Sequence, residues 1–369
     1  MIAPELLNRF VLLRHGLLDR EATDPVTLAG RICGLHAQVA PTPYLSLWAR
    51  LRFFRVAELE QALYEDRTLV RLWAMRGTLH VLPADELPIY IGATAGAAMR
   101  RWVYRWKGVE AEALPLMARL KESVREILSQ GPLTRDEISE AASHIALPDH
   151  TSWAQMIYSL CYQGDLVHAR PTGKWYHYGR VRFAWRESWT GLSDSDIVPE
   201  EEARGQLLMR YLRAFGPATV HDFAYWAALK ISEARQALER VRDQLTEVHL
   251  EDDKRVLWVR AEDLAVLQET DLAAPRPTRL LPRFDTLILG HRDKERFLAP
   301  ENKKQVFRPP AEVAAMMLVD GHVAGTWKYR LPKGVLKDVV TNPFASLSSK
   351  AEGVLRIEVE ALQEFCAEV

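Results

Sequence analysis

An α+β fold is predicted: tandem winged-helix motifs followed by a C-terminal antiparallel β domain, barrel-like in form. Three observations predict it. A motif recurs, Gln130-Gly131-Pro132-Leu133-Thr134-Arg135-Asp136-Glu137-Ile138 returning in outline as Phe215-Gly216-Pro217-Ala218-Thr219-Val220-His221-Asp222-Phe223, about eighty-five residues on. Each copy leads through a further helix into a strand, a turn and a second strand, the order of a winged helix. After the prolines at 275, 277 and 282 the chain changes character and reads as short strands.

Taken in order, Asn8 to Leu17 and Thr27 to Cys33 read as helices, Tyr44 to Phe53 as a helix carrying Arg50 and Arg52, and Val56 to Tyr64 as another. Leu69 to Met75 and Thr78 to Leu82 then form a hairpin with Arg76-Gly77 at its tip, giving a first, divergent winged helix over residues 1–110. In residues 111–192, Gly131-Pro132 breaks the helix containing Val124 to Leu128. Thr134 is placed to cap the next, and Glu137 completes a capping box. Ser152 to Gln163 is helical, and the wing runs from Asp165 to Arg170 through Pro171-Thr172-Gly173-Lys174 into Trp175 to Tyr178. An acidic linker, Ser193 to Glu202, opens residues 193–274. There Thr219 with Asp222 is a weaker cap, Ser232 to Gln244 a helix, and Glu247 to Leu250 pairs with Arg255 to Val259. The tip of that third wing, Glu251-Asp252-Asp253, repels phosphate, so this unit is expected to be structural. Residues 275–369 carry strand signals at Thr286 to Leu289, Ala315 to Val319, His322 to Trp327 and Leu355 to Val359, with Asp320-Gly321 as a hairpin turn.

At 369 residues and 48% hydrophobic, the chain has material for several compact units. A net charge of −1 excludes a global field that would draw it to nucleic acid or lipid, so any such site is a local patch. Arginine outnumbers lysine roughly threefold, and its planar fork suits phosphate and guanine edges. Cys33, Cys161 and Cys366 lie far apart in no metal-ligand pattern, as in a reducing compartment. The first residues carry no signal-peptide pattern, and no apolar run approaches a membrane span. A soluble cytoplasmic protein without metal or organic cofactor is expected, with no membrane partner.

Cations gather on predicted wings and loops. Met99 to Lys107 holds Arg100, Arg101, Arg105 and Lys107 without an acid. On a helix, Arg101 and Arg105 share a face that can track phosphates, while Trp102 and Trp106 share another; the alternative is a solvated face over a tryptophan core. Leu166 to Trp185, also free of acids, contains Arg170, Lys174, Arg180 and Arg182. Such clusters in a winged-helix array point to double-stranded DNA.

The candidate reactive site lies at Gly34-Leu35-His36-Ala37-Gln38. On a helix, His36 and Gln38 would point about 200° apart; on an extended segment they face one way. Gly34 can end the preceding helix and Pro41 biases Ala40 toward an extended form, so both side chains are expected on one side, with Leu35, Ala37 and Val39 facing the core. The alternative is a buried polar pair tying down backbone groups. The sequence has no Gly-rich phosphate loop and no Gly-x-Ser-x-Gly elbow.

Three passages resemble a known family: Gly34 to Gln38; Met75-Arg76-Gly77-Thr78-Leu79-His80; and Leu280-Leu281-Pro282-Arg283-Phe284-Asp285 with Val319-Asp320-Gly321-His322-Val323-Ala324-Gly325-Thr326-Trp327. The chain resembles the winged-helix DNA glycosylases of the AlkZ-like type, bacterial enzymes that excise bulky alkylated purines and unhook interstrand crosslinks. That family's catalytic pair is Gln-x-Gln or Gln-x-Asp. Here His36 stands at the first position and Gln38 at the second. The resemblance implies that both hold the water attacking the anomeric carbon, with His36 as base or water-positioner. Arg76 and Thr78 at the first wing's tip are the next candidates for DNA contact, followed by Arg50, Arg100, Arg101, Arg105, Lys107 and Lys174. Several DNA-binding modules in one chain and no dimerisation helix predict a monomer. The competing readings are a non-catalytic winged-helix regulator and a protein-interaction scaffold.

Overall fold

In the computed structural model, residues 2–104, 110–147, 152–250, 254–273 and 277–367 are described. Helices Pro4–Arg14, Pro25–Arg31, Thr42–Trp48 and Val56–Glu60 form the N-terminal part. Asp24 starts the second of these, its carboxylate accepting from the backbone N–H groups of Val26 and Thr27, with Pro25 in the first turn. Between the second and third helices the chain forms a two-residue strand, β1 (Leu35–His36). Gly34 makes this possible. Its φ is +91°, and a Cβ there would sit 2.4 Å from Leu82 Cδ2, so only glycine lets the chain turn this close to its neighbour.

The first hairpin is β2 (Leu69–Trp73) and β3 (Leu79–Pro83). Then come β4 (Leu133–Thr134), β5 (Leu166–His168) and β6 (Arg182–Trp185). All six join one sheet in the order β1-β3-β2-β5-β6-β4. The link between the two hairpins is Arg71 opposite His168, so pairing crosses the expected boundary at residue 110. The expected second wing returns later than its sequence suggests. Trp175 to Tyr178 are not its second strand; they lie in an excursion closed by a bridge between Lys174 and His177, and Arg182–Trp185 pairs instead. Both Thr caps form. Thr134 and Glu137 exchange bonds before helix Arg135–Ala141, and Thr219 and Asp222 do so before Val220–Ala227.

The third hairpin, β7 (Leu245–His249) and β8 (Val256–Arg260), stands as its own two-stranded sheet. Its acidic tip lies outside the described residues. Further on, β9 (Arg279–Leu281), β10 (Phe307–Arg308), β11 (Glu312–Val313), β12 (Ala315–Val319), β13 (His322–Arg330) and β14 (Lys337–Pro343) follow. The main C-terminal sheet is β14-β13-β12-β9. It is open, and the described strands close no barrel, which corrects the barrel-like expectation. Asp320 (φ 50°) and Gly321 (φ 80°) form the β12–β13 turn as expected.

Two expected strands are helices. Thr286–Leu289 is one, started by the Asp285 carboxylate on Leu287 N–H. Leu355 to Val359 lies within Ser349–Ala367, whose buried residues Ala351, Leu355, Glu358, Leu362 and Cys366 recur at helical spacing. One core unites the ends of the chain: Leu28, Leu47 and Leu59 pack in the same cluster as Leu281, Met316 and Trp327. The segment following Gly34 lies where those parts meet.

Candidate active site

β1 is an edge strand, paired with β3 so that His36 stands opposite His80. Leu35 and Ala37 are fully buried, His36 is buried and Gln38 is exposed. The expected alternation holds for Leu35 and Ala37, while Val39 is only partly buried. The His36 ring lies parallel to Phe284, with centroids 5.1 Å apart and planes 8° apart, and meets His80 edge-on at 5.3 Å. The Gln38 backbone N–H donates to His36 Nδ1 over a long 3.5 Å. That contact puts the ring's proton on Nε2. Burial pushes the His36 pKa well below its usual value, and His80 and Arg76 push the same way. The imidazole is therefore neutral at pH 7, as is His80, lowered to about 4 by burial.

Gln38 is held at one end. Its Oε1 accepts from Leu79 N–H at 3.3 Å, while Leu79 C=O accepts the Ala37 N–H at 2.8 Å. The exposed remainder of the carboxamide is the part that can meet a ligand. Arg76 occupies the β2–β3 turn with φ 58°. Its guanidinium lies 5.3 Å from the centre of the Tyr225 ring, a ring shared with Lys294 Nζ at 4.8 Å. Lys294 is buried, donates to His291 C=O, and is pushed down to about 7 by burial, with Arg76 adding to it. Thr78 Oγ1 donates to Met75 C=O within the turn itself.

The other candidate cations fall elsewhere. Arg50 is a correction. It is fully buried, and its guanidinium forms two bonds to Asp285, at 2.8 and 2.9 Å, so it meets no phosphate. Its charge placed it among the candidates for DNA contact, but Ser46 and Asp285 enclose it. Arg100 is exposed on helix Leu87–Tyr104 and paired with Glu200 and Glu233. Arg101 belongs to the same helix, and Arg105 and Lys107 lie outside the described residues. Lys174 is exposed at a groove of about 420 Å³ that Arg55, Glu60, Arg170 and Trp175 also line. Thus His36, Gln38, Arg76 and Thr78 come together, and Arg50 and Arg100 do not join them. Phe284 and His80 were not singled out, although both sit inside the family-like passages. Tyr178, whose hydroxyl donates to Ala37 C=O at 3.0 Å, left no signal beyond being one aromatic in an acid-free run.

The family model described as DNA glycosylase AlkZ-like matches residues 29–365. The chain belongs to that family. It is 29% identical over 382 residues to an interstrand DNA cross-link repair glycosylase of Streptomyces sahachiroi, covering 96% of this chain and 92% of that one. The solved structure of Streptomyces sahachiroi DNA glycosylase AlkZ superposes with a TM-score of 0.80 at 25% identity, over 99% of this chain and 97% of that one. As a member of a glycosylase family, this chain is read as an enzyme acting on DNA. Among the described residues no helix is long and apolar enough to cross a membrane, and no three His, Cys, Asp or Glu side chains gather to hold a metal ion.

Proposed function

We propose that this chain is a monofunctional DNA glycosylase that hydrolyses the N-glycosidic bond of bulky N7-alkylated purines in double-stranded DNA and unhooks interstrand crosslinks. It does so as a cytoplasmic, nucleoid-associated bacterial monomer on a tandem winged-helix scaffold. The observation that carries this reading is a neutral His36 ring at the edge of β1 whose Nδ1 meets the backbone N–H of an exposed Gln38. The cross-link repair named for the Streptomyces relative supports the crosslink part.

The chemistry follows from the lesion. Alkylation at N7 makes guanine cationic, so the base departs with the bonding electrons and needs no proton from the protein. What remains is to place a water against the oxocarbenium-like sugar and accept its attack at C1′. Gln38 has the equipment for placement, since its oxygen keeps a second lone pair and its NH₂ donates. His36, with Nδ1 turned to the Gln38 backbone, offers Nε2–H as a donor. A low pKa also makes it a weak base. Of its two candidate roles the geometry favours water-positioning over proton abstraction: the cationic base leaves as a neutral purine, the oxocarbenium takes up neutral water, and the surplus proton passes to solvent, so no strong base is needed.

The test is single-turnover excision from a duplex carrying N7-methylguanine, with alkali cleaving the abasic product. Wild-type protein is expected to produce strand breaks at the lesion. Gln38→Ala is expected to slow excision roughly 10²–10³-fold, the usual loss for one positioned transition-state group. A protein that binds the duplex tightly yet releases no base from methylated or crosslinked DNA is the non-catalytic binder instead.

A further inference from the structure

We propose that Tyr178, seated by Arg71, is a positioning residue that makes the Gln38 carboxamide available to the reaction; this rests on the active-site reading above. The inference comes from a break in the β1–β3 ladder. The register Leu35 opposite Val81 and His36 opposite His80 places Ala37 opposite Leu79. In a regular antiparallel ladder such a pair exchanges two bonds, N–H to C=O in each direction. Only one of these forms, Ala37 N–H to Leu79 C=O. The other is replaced by two side-chain bonds. Tyr178 Oη donates to Ala37 C=O at 3.0 Å, and Leu79 N–H donates to Gln38 Oε1 at 3.3 Å.

These substitutions are linked. A carbonyl can accept two bonds, so the Tyr178 hydroxyl acts by turning the Ala37 carbonyl toward itself and away from Leu79 N–H, and the Gln38 side chain fills that vacancy. One hydroxyl therefore decides whether the carboxamide is anchored. It acts on the peptide that joins the two candidate catalytic residues.

Tyr178 is itself held from the same sheet. The Arg71 guanidinium lies 4.0 Å from the centre of its ring. Arg71 is 1% exposed, and its three side-chain nitrogens have no hydrogen-bond partner among the described residues. A buried cation without an acid gains most from an aromatic face, where desolvation strengthens the attraction. Two routes thus run from β2 to the Ala37 peptide. One passes through β3 to its N–H; the other passes through Arg71 and Tyr178 to its carbonyl. The excursion that sequence reads as a DNA-touching wing supplies the second.

The decisive variant is Tyr178→Phe. Without the hydroxyl, the Ala37 carbonyl turns to Leu79 N–H, the ladder closes and Gln38 swings free. In single-turnover excision of N7-methylguanine the maximal rate is expected to fall at least about tenfold, the effect of misplacing one reacting group. The half-saturating protein concentration and the melting temperature are expected to stay unchanged. A merely structural tyrosine would lower the melting temperature instead. An activity-independent measurement accompanies it: amide hydrogen exchange at Leu79, which is expected to slow in Tyr178→Phe and quicken in Gln38→Ala. Arg71→Met is expected to reproduce the rate loss, with no further loss in the double variant. An unchanged maximal rate in Tyr178→Phe, or Leu79 exchange that does not slow, overturns the proposal. If wild-type protein excises nothing from any lesion, the glycosylase reading fails and the Leu79 exchange still judges the ladder switch.

Discussion

At the scale of single residues, His36 shows how burial selects a chemical role. Its unperturbed pKa of about 6.5 would suit a general base near neutrality. Burial first, and then the His80 ring and the Arg76 charge, depress that value strongly. The sign is clear. A lowered pKa keeps the ring neutral across the physiological range, and protonation begins only well into acid. Excision of N7-methylguanine by folded protein should therefore be independent of pH between about 6 and 8. A base titrating at its ordinary value would lose about five- to sixfold in rate on going from about pH 6.5 to 5.5. A single-turnover pH profile, with circular dichroism at each pH to confirm folding, separates the two. A rate that declines below about pH 6.5 in intact protein would return proton abstraction to His36. Spacing alone predicted that His36 and Gln38 would share a side. It could not reveal that one would be buried beneath an aromatic ring and the other exposed, because Phe284 arrives from far along the chain.

At the scale of elements, the Arg50–Asp285 pair ties the chain just after helix Thr42–Trp48 to the start of helix Thr286–Leu289. Both side chains are fully buried. Asp285 also accepts from Ser46 Oγ at 3.1 Å and caps Leu287. Its neighbour Phe284 holds φ 58°, a left-handed conformation costly for an aromatic residue, and stacks on His36. We infer that the ion pair fixes Asp285 firmly enough to hold Phe284 there. Asp285→Asn leaves a buried guanidinium without its counter-charge. It should cost about 3–5 kcal/mol in urea unfolding and slow excision, since the stacked ring loses its anchor. Stability within about 1 kcal/mol of wild type would show that solvent already reaches the pair. This element-level detail also marks where the sequence was legible. Local chemistry read well: the Thr134 and Thr219 caps and the Asp320-Gly321 turn formed as their residues dictate. Two apolar runs did not, because a run such as Thr286 to Leu289 fits strand and helix equally until Asp285 caps it, whereas Ala315 to Val319 and His322 to Trp327 formed the strands expected. Arg50 misled for a related reason. An arginine's partner 235 residues away leaves no trace in local spacing.

At the scale of the whole molecule, the same burial that tunes His36 governs stability against acid. Of eleven histidines, His15, His36, His80, His168 and His291 are all buried with lowered pKa values; His80 lies at about 4 and His291 at about 3. In each case burial is the first cause, and a neighbouring cation adds to it at His15, His168 and His291. The unfolded chain takes up a proton at each of these rings as pH falls through about 6.5, whereas the folded chain resists until its lowered value is reached. Their contribution is therefore complete above that pH and is lost progressively below it, at up to about 1.4 kcal/mol per pH unit for each ring. Asp165, whose pKa burial raises, opposes this as a single group. Lys294, lowered to about 7, acts with the histidines, since it makes stability rise further on the alkaline side of neutrality. Urea unfolding at about pH 7.5, 6.5 and 5.5 should thus show a loss of about 2 kcal/mol over the first step, with Lys294 contributing to it, and a loss roughly twice as large over the second. The carboxylates held below their usual range cannot produce that loss, because they titrate in more acid solution. A drop over the second step no larger than one ring supplies would mean that the protonated imidazoles find acceptors in the folded state. The five buried rings would then be satisfied cations rather than neutral packing.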